Sequence, residues 1–265
     1  MLRCSLITLM LVAPRLAAAQ DPPIDPPARA TVRAEIGLRR AGMLDQTLSP
    51  LHYGGGAIAG RIALTIPRDR VRYDADADLA FGSLSSDAGS AARPSLRAVA
   101  SSAHLGVDVR LRRALGGIEF APGLRLAARV AAREHHFTGS QSYGRFEGMI
   151  DDSYDEAFAL QPAITASRAL RRGATLSLSV AMSAIAVSTH PYFPRSLGYS
   201  SPWSISGPNG ILLGDGAVEY ARWVSARTAL GVRYSVQLFR LRGANEVADV
   251  SHQLGATISW RRSNR

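Results

Sequence analysis

From Thr31 onward the chain alternates apolar and polar residues with a period of two, and turn-forming clusters interrupt it at regular intervals. In one segment Val71, Tyr73, Ala75, Ala77, Leu79 and Phe81 fall on one face, with Arg72, Asp74, Asp76, Asp78 and Ala80 on the other. Successive strand side chains point oppositely, so this spacing gives a greasy face and a charged face; a helix would scatter the aspartates around its circumference. The pattern recurs in Val32–Leu38 against Arg33, Glu35 and Arg39. It recurs again in Ile118–Val130 against Glu119, Arg125, Arg129 and Arg133, and in Leu254–Trp260 near the C-terminus. Ten segments follow it: 31–40, 52–66, 71–83, 96–111, 117–134, 157–169, 174–188, 210–224, 228–242 and 248–260. Pro122 and Pro162 interrupt the pattern, because each removes a ladder hydrogen bond, and they predict bulges or strand ends there.

The connections also alternate. Short Arg-rich turns are expected at 67–70, 112–117, 171–173 and 225–227, and longer loops at 84–95, 135–156 and 189–209. The links at 42–51 and 243–247 are shorter. Short turns at one end and long loops at the other predict an all-β fold: a single antiparallel up-and-down transmembrane β-barrel of about ten strands, with eight or twelve also compatible. A soluble β-sandwich or lipocalin-like barrel shares the period but hides its apolar face. Three features favour the membrane form. The strands are long, the polar face carries many small residues, and Tyr53, Tyr73, Phe81, Phe120, Phe158, Tyr220, Tyr234 and Trp260 lie toward strand ends as an interfacial girdle would.

Composition sharpens this. With 46% hydrophobic and 20% charged residues in 265, the chain is not of a disordered type. A mean hydropathy of +0.01 excludes a bundle of membrane helices but suits alternating strands. All 31 basic residues are arginine, and with the formal charge of +10 dispersed along the chain no nucleic-acid partner is expected. Arg3, the apolar run 6–13 and Ala17-Ala18-Ala19 read as a secretory signal over 1–19. A Pro-rich linker over 20–30 follows, with the barrel over 31–265. Cys4 leaves with the signal, so no disulfide is expected in the mature chain.

On these segments the chain resembles the bacterial outer-membrane β-barrel proteins as a superfamily. The resemblance spans the mature chain and is architectural. It implies outer-membrane location after signal cleavage, with membrane lipids and the barrel-assembly machinery as partners. It also implies a role for Trp260 as the aromatic assembly signal of the last strand, although Arg261–Arg265 extends past it.

Ten strands enclose a narrow interior. The inward set is predicted to include Arg33, Glu35, Arg61, Arg72, Asp74, Asp76, Asp78, Asp108, Arg110, Glu119, Arg125, Arg129, Arg133, Glu219 and Arg233. Opposite charges should pair across such a space. Two readings stand: a salt-bridged plug in a structural or surface protein, or a narrow polar pore passing small ions or solutes, with Arg125, Arg129 and Arg133 as an anion-favouring ladder. His135 and His136 share a predicted outer loop with Asp151, Asp152, Asp155 and Glu156, a donor set able to hold a divalent cation, though without fixed ligand spacing and equally readable as a solvated face. No cofactor is expected. His104 and Asp108 share a strand face but lie about 13 Å apart along it, so they form no catalytic pair by themselves. The chain is therefore not expected to be an enzyme, and the alternative is a lipid-modifying hydrolase with its site in the outer loops. The aromatic loop 189–209 (Tyr192, Phe193, Tyr199, Trp203) suits either a recognition surface or a cap folded over the barrel.

Overall fold

The computed structural model describes residues 29–45, 49–68, 71–86, 95–111, 113–115, 117–138, 152–189, 203–242 and 246–262. The predicted signal segment, and the linker up to residue 28, lie outside them. Thirteen strands form one sheet: β1 (Thr31–Asp45), β2 (Ser49–Pro67), β3 (Val71–Ser86), β4 (Ser95–Leu111), β5 (Arg113–Leu115), β6 (Ile118–Thr138), β7 (Asp152–Ala169), β8 (Ala174–Met182), β9 (Ile185–Thr189), β10 (Ser204–Ser206), β11 (Ile211–Trp223), β12 (Thr228–Leu241) and β13 (Val247–Arg261). Every neighbouring pair is antiparallel, and β1 pairs with both β2 and β13, so the sheet closes on itself. Counting β8 and β9 as one interrupted stave, ten strands make the wall, with β5 and β10 as short additions. Closure removes the free edges that a sheet would otherwise present to lipid.

The alternation sets which side each residue faces. On β1, Ile36 and Leu38 are 67% and 73% exposed, while Glu35 and Arg39 on either side of them are 6% and 5% exposed. The outward row continues around the wall through Ile58, Ile62, Phe81, Leu124, Leu126, Val232 and Leu254, all exposed. A water-soluble barrel would hide this row in its core, so the pattern is that of a transmembrane barrel. Both described ends of the chain lie at the short-turn rim, where Arg262 N donates to Ala30 O at 3.0 Å.

The prolines fall where the ladders are already broken. Pairing of β4 with β6 ends at Arg110↔Gly123 and resumes as β5 at Arg113↔Phe120, and Pro122 sits opposite that gap. The pairing of β7 with β8 ends at Ala163↔Ala181 and resumes with β9 at Leu160↔Ile185, one residue out of step. This is a β-bulge at Ser183–Ala184, and Pro162 lies opposite it. Ala184 N is satisfied by Leu160 O at 2.9 Å, and Ser183 N by Leu213 O at 2.8 Å.

The structure corrects several expectations. The link at 42–51 is shorter, because β1 runs to Asp45 and β2 starts at Ser49. The loop at 135–156 also shrinks: β6 continues to Thr138, which places His135 and His136 in a strand, and β7 begins at Asp152, which places Asp155 in one too. Tyr53 is not a girdle residue. It stands on the inward parity of β2 and is 2% exposed. The segment 174–188 is one stave with a change of phase at the bulge, so its inward face passes from odd positions to even ones.

Candidate functional site

The lumen gathers most of the charged residues the sequence singles out, and it is divided into tiers. At the short-turn end, Arg72 Nε donates to Asp74 at 2.7 Å, and Thr65 Oγ1 donates to the other Asp74 oxygen at 2.7 Å. Arg110 Nη2 bonds Asp108 at 3.0 Å, and Arg110 also reaches the Thr165 hydroxyl. Arg33 bridges Glu219 across the barrel between residues 186 apart in sequence. Together with Ser167, Thr175, Ser177 and Ser259 these groups line a polar cavity of about 280 Å³ that reaches the rim formed by Thr31, Trp223, Ala229 and Arg261.

The middle tier is crowded. Arg39 Nη2 donates to both oxygens of Asp78, at 2.6 and 2.7 Å, and to Gln253 Oε1 at 2.6 Å. Gln253 Nε2 in turn donates to Glu35 at 2.7 Å, and Arg233 reaches Glu35 at 3.5 Å and Glu219 at 3.7 Å. Arg61 pairs with Asp76 at 3.0 Å, and Arg125 joins Asp76 at 3.1 Å to Asp108 at 3.3 Å. Gly106 makes room for this, since a Cβ there would stand 2.2 Å from the Arg125 guanidinium. Between Arg61, Asp76, Asp78, Arg125, Arg233 and Gln253 only about 10 Å³ stays open, on the scale of a single water. Charges buried this deeply are tolerable because nearly every one meets an opposite partner.

The upper tier combines charge with an apolar plug. Arg129 bridges Asp155 and bonds Asp249 at 2.7 Å, while its guanidinium lies 4.3 Å from the Phe239 ring centre. Arg133 pairs with Asp155 at 2.6 Å. Around them Ile211, Leu213, Phe239, Val247 and small alanines form a buried cluster inside the lumen. Met43, Tyr53 and Leu84 are buried on the same inward parity.

Of the predicted lumen residues, the pairs above contain all but Glu119, which lies on the inward parity of β6 near the short-turn rim. Arg39, Asp155, Gln161, Asp215, Asp249 and Gln253 belong to the lumen as well. Arg39 already stands on the charged face with Arg33 and Glu35 in the sequence pattern; the predicted inward set left it and the others out, although parity with Glu219 was a signal for Asp215. Most side chains of the predicted metal set lie outside the described residues. Asp155 is fully buried and committed to two arginines, Asp151 lies outside the described residues, as do the side chains of His135, His136 and Asp152, and the described residues contain no group of three metal-ligand side chains. Trp260 sits on the outward face of the last strand, 42% exposed and paired in register with Val32 and Thr228. Trp203 packs at 5.9 Å on Phe158 on the outer surface, whereas the other loop aromatics lie outside the described residues.

No family model matches the chain, and no curated protein matches it. Solved structures do. The outer membrane protease OmpT from Escherichia coli superposes with a TM-score of 0.54 at 7% identity, covering 88% of this chain and 97% of that one. The translocator domain of the autotransporter NalP from Neisseria meningitidis gives 0.43 at 10% identity, covering 90% of each chain. At such identity the likeness is one of fold: this chain resembles the outer-membrane β-barrels in architecture.

Proposed function

We propose that this protein is an outer-membrane barrel with a closed lumen, serving as a structural or surface component and not as an open pore. Its short-turn rim faces the periplasm and its long loops face outward. The observation that supports the reading is the middle tier, where Arg39–Asp78, Arg61–Asp76 and Arg125–Asp108 pair inside the lumen and leave a pocket of only about 10 Å³ among them. A hydrated ion needs a continuous wet path, and paired charges with an apolar plug above them provide none. The polar cavity below would admit water, small ions or solutes from the periplasmic side only.

The test is conductance in planar bilayers. Full-length mature protein, shown to be folded by heat-modifiable migration, is expected to be electrically silent. Discrete, voltage-stable steps would instead establish the polar pore. The hydrolase alternative places its site in loops outside the described residues, so ester hydrolysis of phospholipid vesicles is measured alongside: turnover with silence would favour the enzyme. Failure of the protein to float with outer-membrane fractions would remove the location itself.

A further inference from the structure

We infer that the outer surface of β1, β2 and β13, near the loop end, holds the phosphate of a lipid headgroup from the surrounding leaflet. This rests on the membrane-spanning fold and not on the closed lumen. The outward row of β1 is apolar through Val32, Ile36 and Leu38 and then presents Arg40, which is exposed and has no ion-pair partner among the described residues. Arg40 lies opposite His252 of β13 in register, and His252 is exposed too. Above them Val250 and Leu238 carry the apolar face on, both still partly exposed. A cation and an imidazole therefore interrupt the acyl-facing surface instead of crowning it.

The height suits a headgroup. Eight strand residues separate Val32 from Arg40, which is about 20 Å along the axis of a tilted strand, against an apolar belt of about 25 Å. An arginine stem there reaches the upper interface, where phosphates lie. The charge also suits it: Arg40, His52 and His252 rim one outward groove that no carboxylate among the described residues lines. Tyr234 and His252 share a hydrogen bond at 2.8 Å between the hydroxyl and Nδ1, which fixes the imidazole and leaves Nε2 for another partner. A guanidinium beside an oriented imidazole is a phosphate-binding pair by chemistry.

The groove has a floor for acyl chains as well. Gly42 pairs with Gly54, and Arg40 pairs with Gly56, in the β1–β2 register. A Cβ on Gly42 or Gly56 would meet nothing nearer than 3.9 Å, and on Gly54 nothing within 4 Å. Among the described residues nothing fills the space in front of these positions, so side chains would fit there. A hydrocarbon chain can lie in that strip while its phosphate reaches Arg40 and His252.

The experiment uses the full mature chain in dodecyl maltoside micelles. Dioleoyl phosphatidic acid is titrated in, and the temperature at which the compact band is lost is followed. A saturable rise is expected. Arg40→Gln, and Gly54→Leu, which fills the strip, should each weaken the apparent affinity at least fivefold. Arg168→Gln, exposed at the opposite rim, should leave it unchanged. The proposal is overturned if dioleoylglycerol gives the same rise, or if inorganic phosphate alone does. It is equally overturned if Arg40→Gln binds like the parent, or if Arg168→Gln loses as much.

Discussion

Removing Arg39 tests the lumen directly, because Asp78 depends on it more than any other acid there depends on one partner. Asp78 is 3% exposed, and the bonds described for it run to Arg39 at 2.6 and 2.7 Å. At an effective dielectric of about 20, unit charges 2.6 Å apart attract by roughly 6 kcal/mol, most of which desolvation offsets. The folded state therefore gains little from the pair as such. Arg39→Met, however, leaves a buried carboxylate without its cation, and the expected loss is about 3–5 kcal/mol. Gln253 keeps its bond to Glu35, which holds the loss to that range. Arg39→Met with Asp78→Leu removes both charges and should return stability to within about 1 kcal/mol of the parent. Urea-driven unfolding from lipid vesicles, followed by the fluorescence of Trp203, Trp223 and Trp260, measures all four corners of the cycle. A single variant that loses less than about 1 kcal/mol, or a double variant no better than the single, would refute the account of paired charges as mutually dependent.

Further expectations follow from the same packing. Gly106→Val pushes a side chain into the Arg125 guanidinium and should cost about 1–3 kcal/mol in the same unfolding assay, whereas an equal change at the open Gly54 costs little. Phe239→Ala deletes a ring that is 3% exposed beneath Arg129, with an expected loss of about 3–5 kcal/mol. Pro162→Ala should change stability by under about 1 kcal/mol because the ladder is already broken opposite it, while Leu126→Pro, paired on both sides, should cost about 3 kcal/mol or more. At the loop end of β12, the Arg240 guanidinium donates to Glu246, just ahead of β13, and holds its carboxyl below the usual range. The interaction is thus present above the ordinary glutamate range and is lost as pH falls through the lowered value. A carboxyl titration by NMR should show this midpoint return to normal in Arg240→Gln.

Much of the wall was readable from parity alone. The predicted segment 228–242 is β12 at Thr228–Leu241, and 248–260 is β13 at Val247–Arg261, because long uninterrupted alternation fixes both the element and its facing. The prolines were readable as breaks for the same reason. What parity could not give is the partner across the barrel: Arg33 meets Glu219 only once the stagger of the closed sheet is set, and no local pattern records that stagger. Tyr53 and Phe239 share the inward parity of their strands, but a reading that sends apolar and aromatic residues to the lipid face passes over their role in plugging the lumen. The change of phase at Ser183–Ala184 was written in the order Met182, Ile185, Val187, but a reader expecting one strand passes over it. The visible alternation of the neighbouring strand starts only at residue 157, which leaves Asp155 in the loop on sequence alone, and its pairing with Ala131 on β6 puts it in the wall.

On the closed-lumen reading proposed above, the polar cavity at the short-turn rim, capped by the crowded tier above it, makes the molecule a cup with its mouth on one side of the bilayer. Its two faces therefore live in different electrolytes. Salt added outside sealed vesicles that carry the protein mouth-inward never reaches Asp74, Arg72 or Glu219, whereas salt inside bathes them. A barrel built this way has a sided chemistry, set by insertion, that a uniform tube of the same residues would lack.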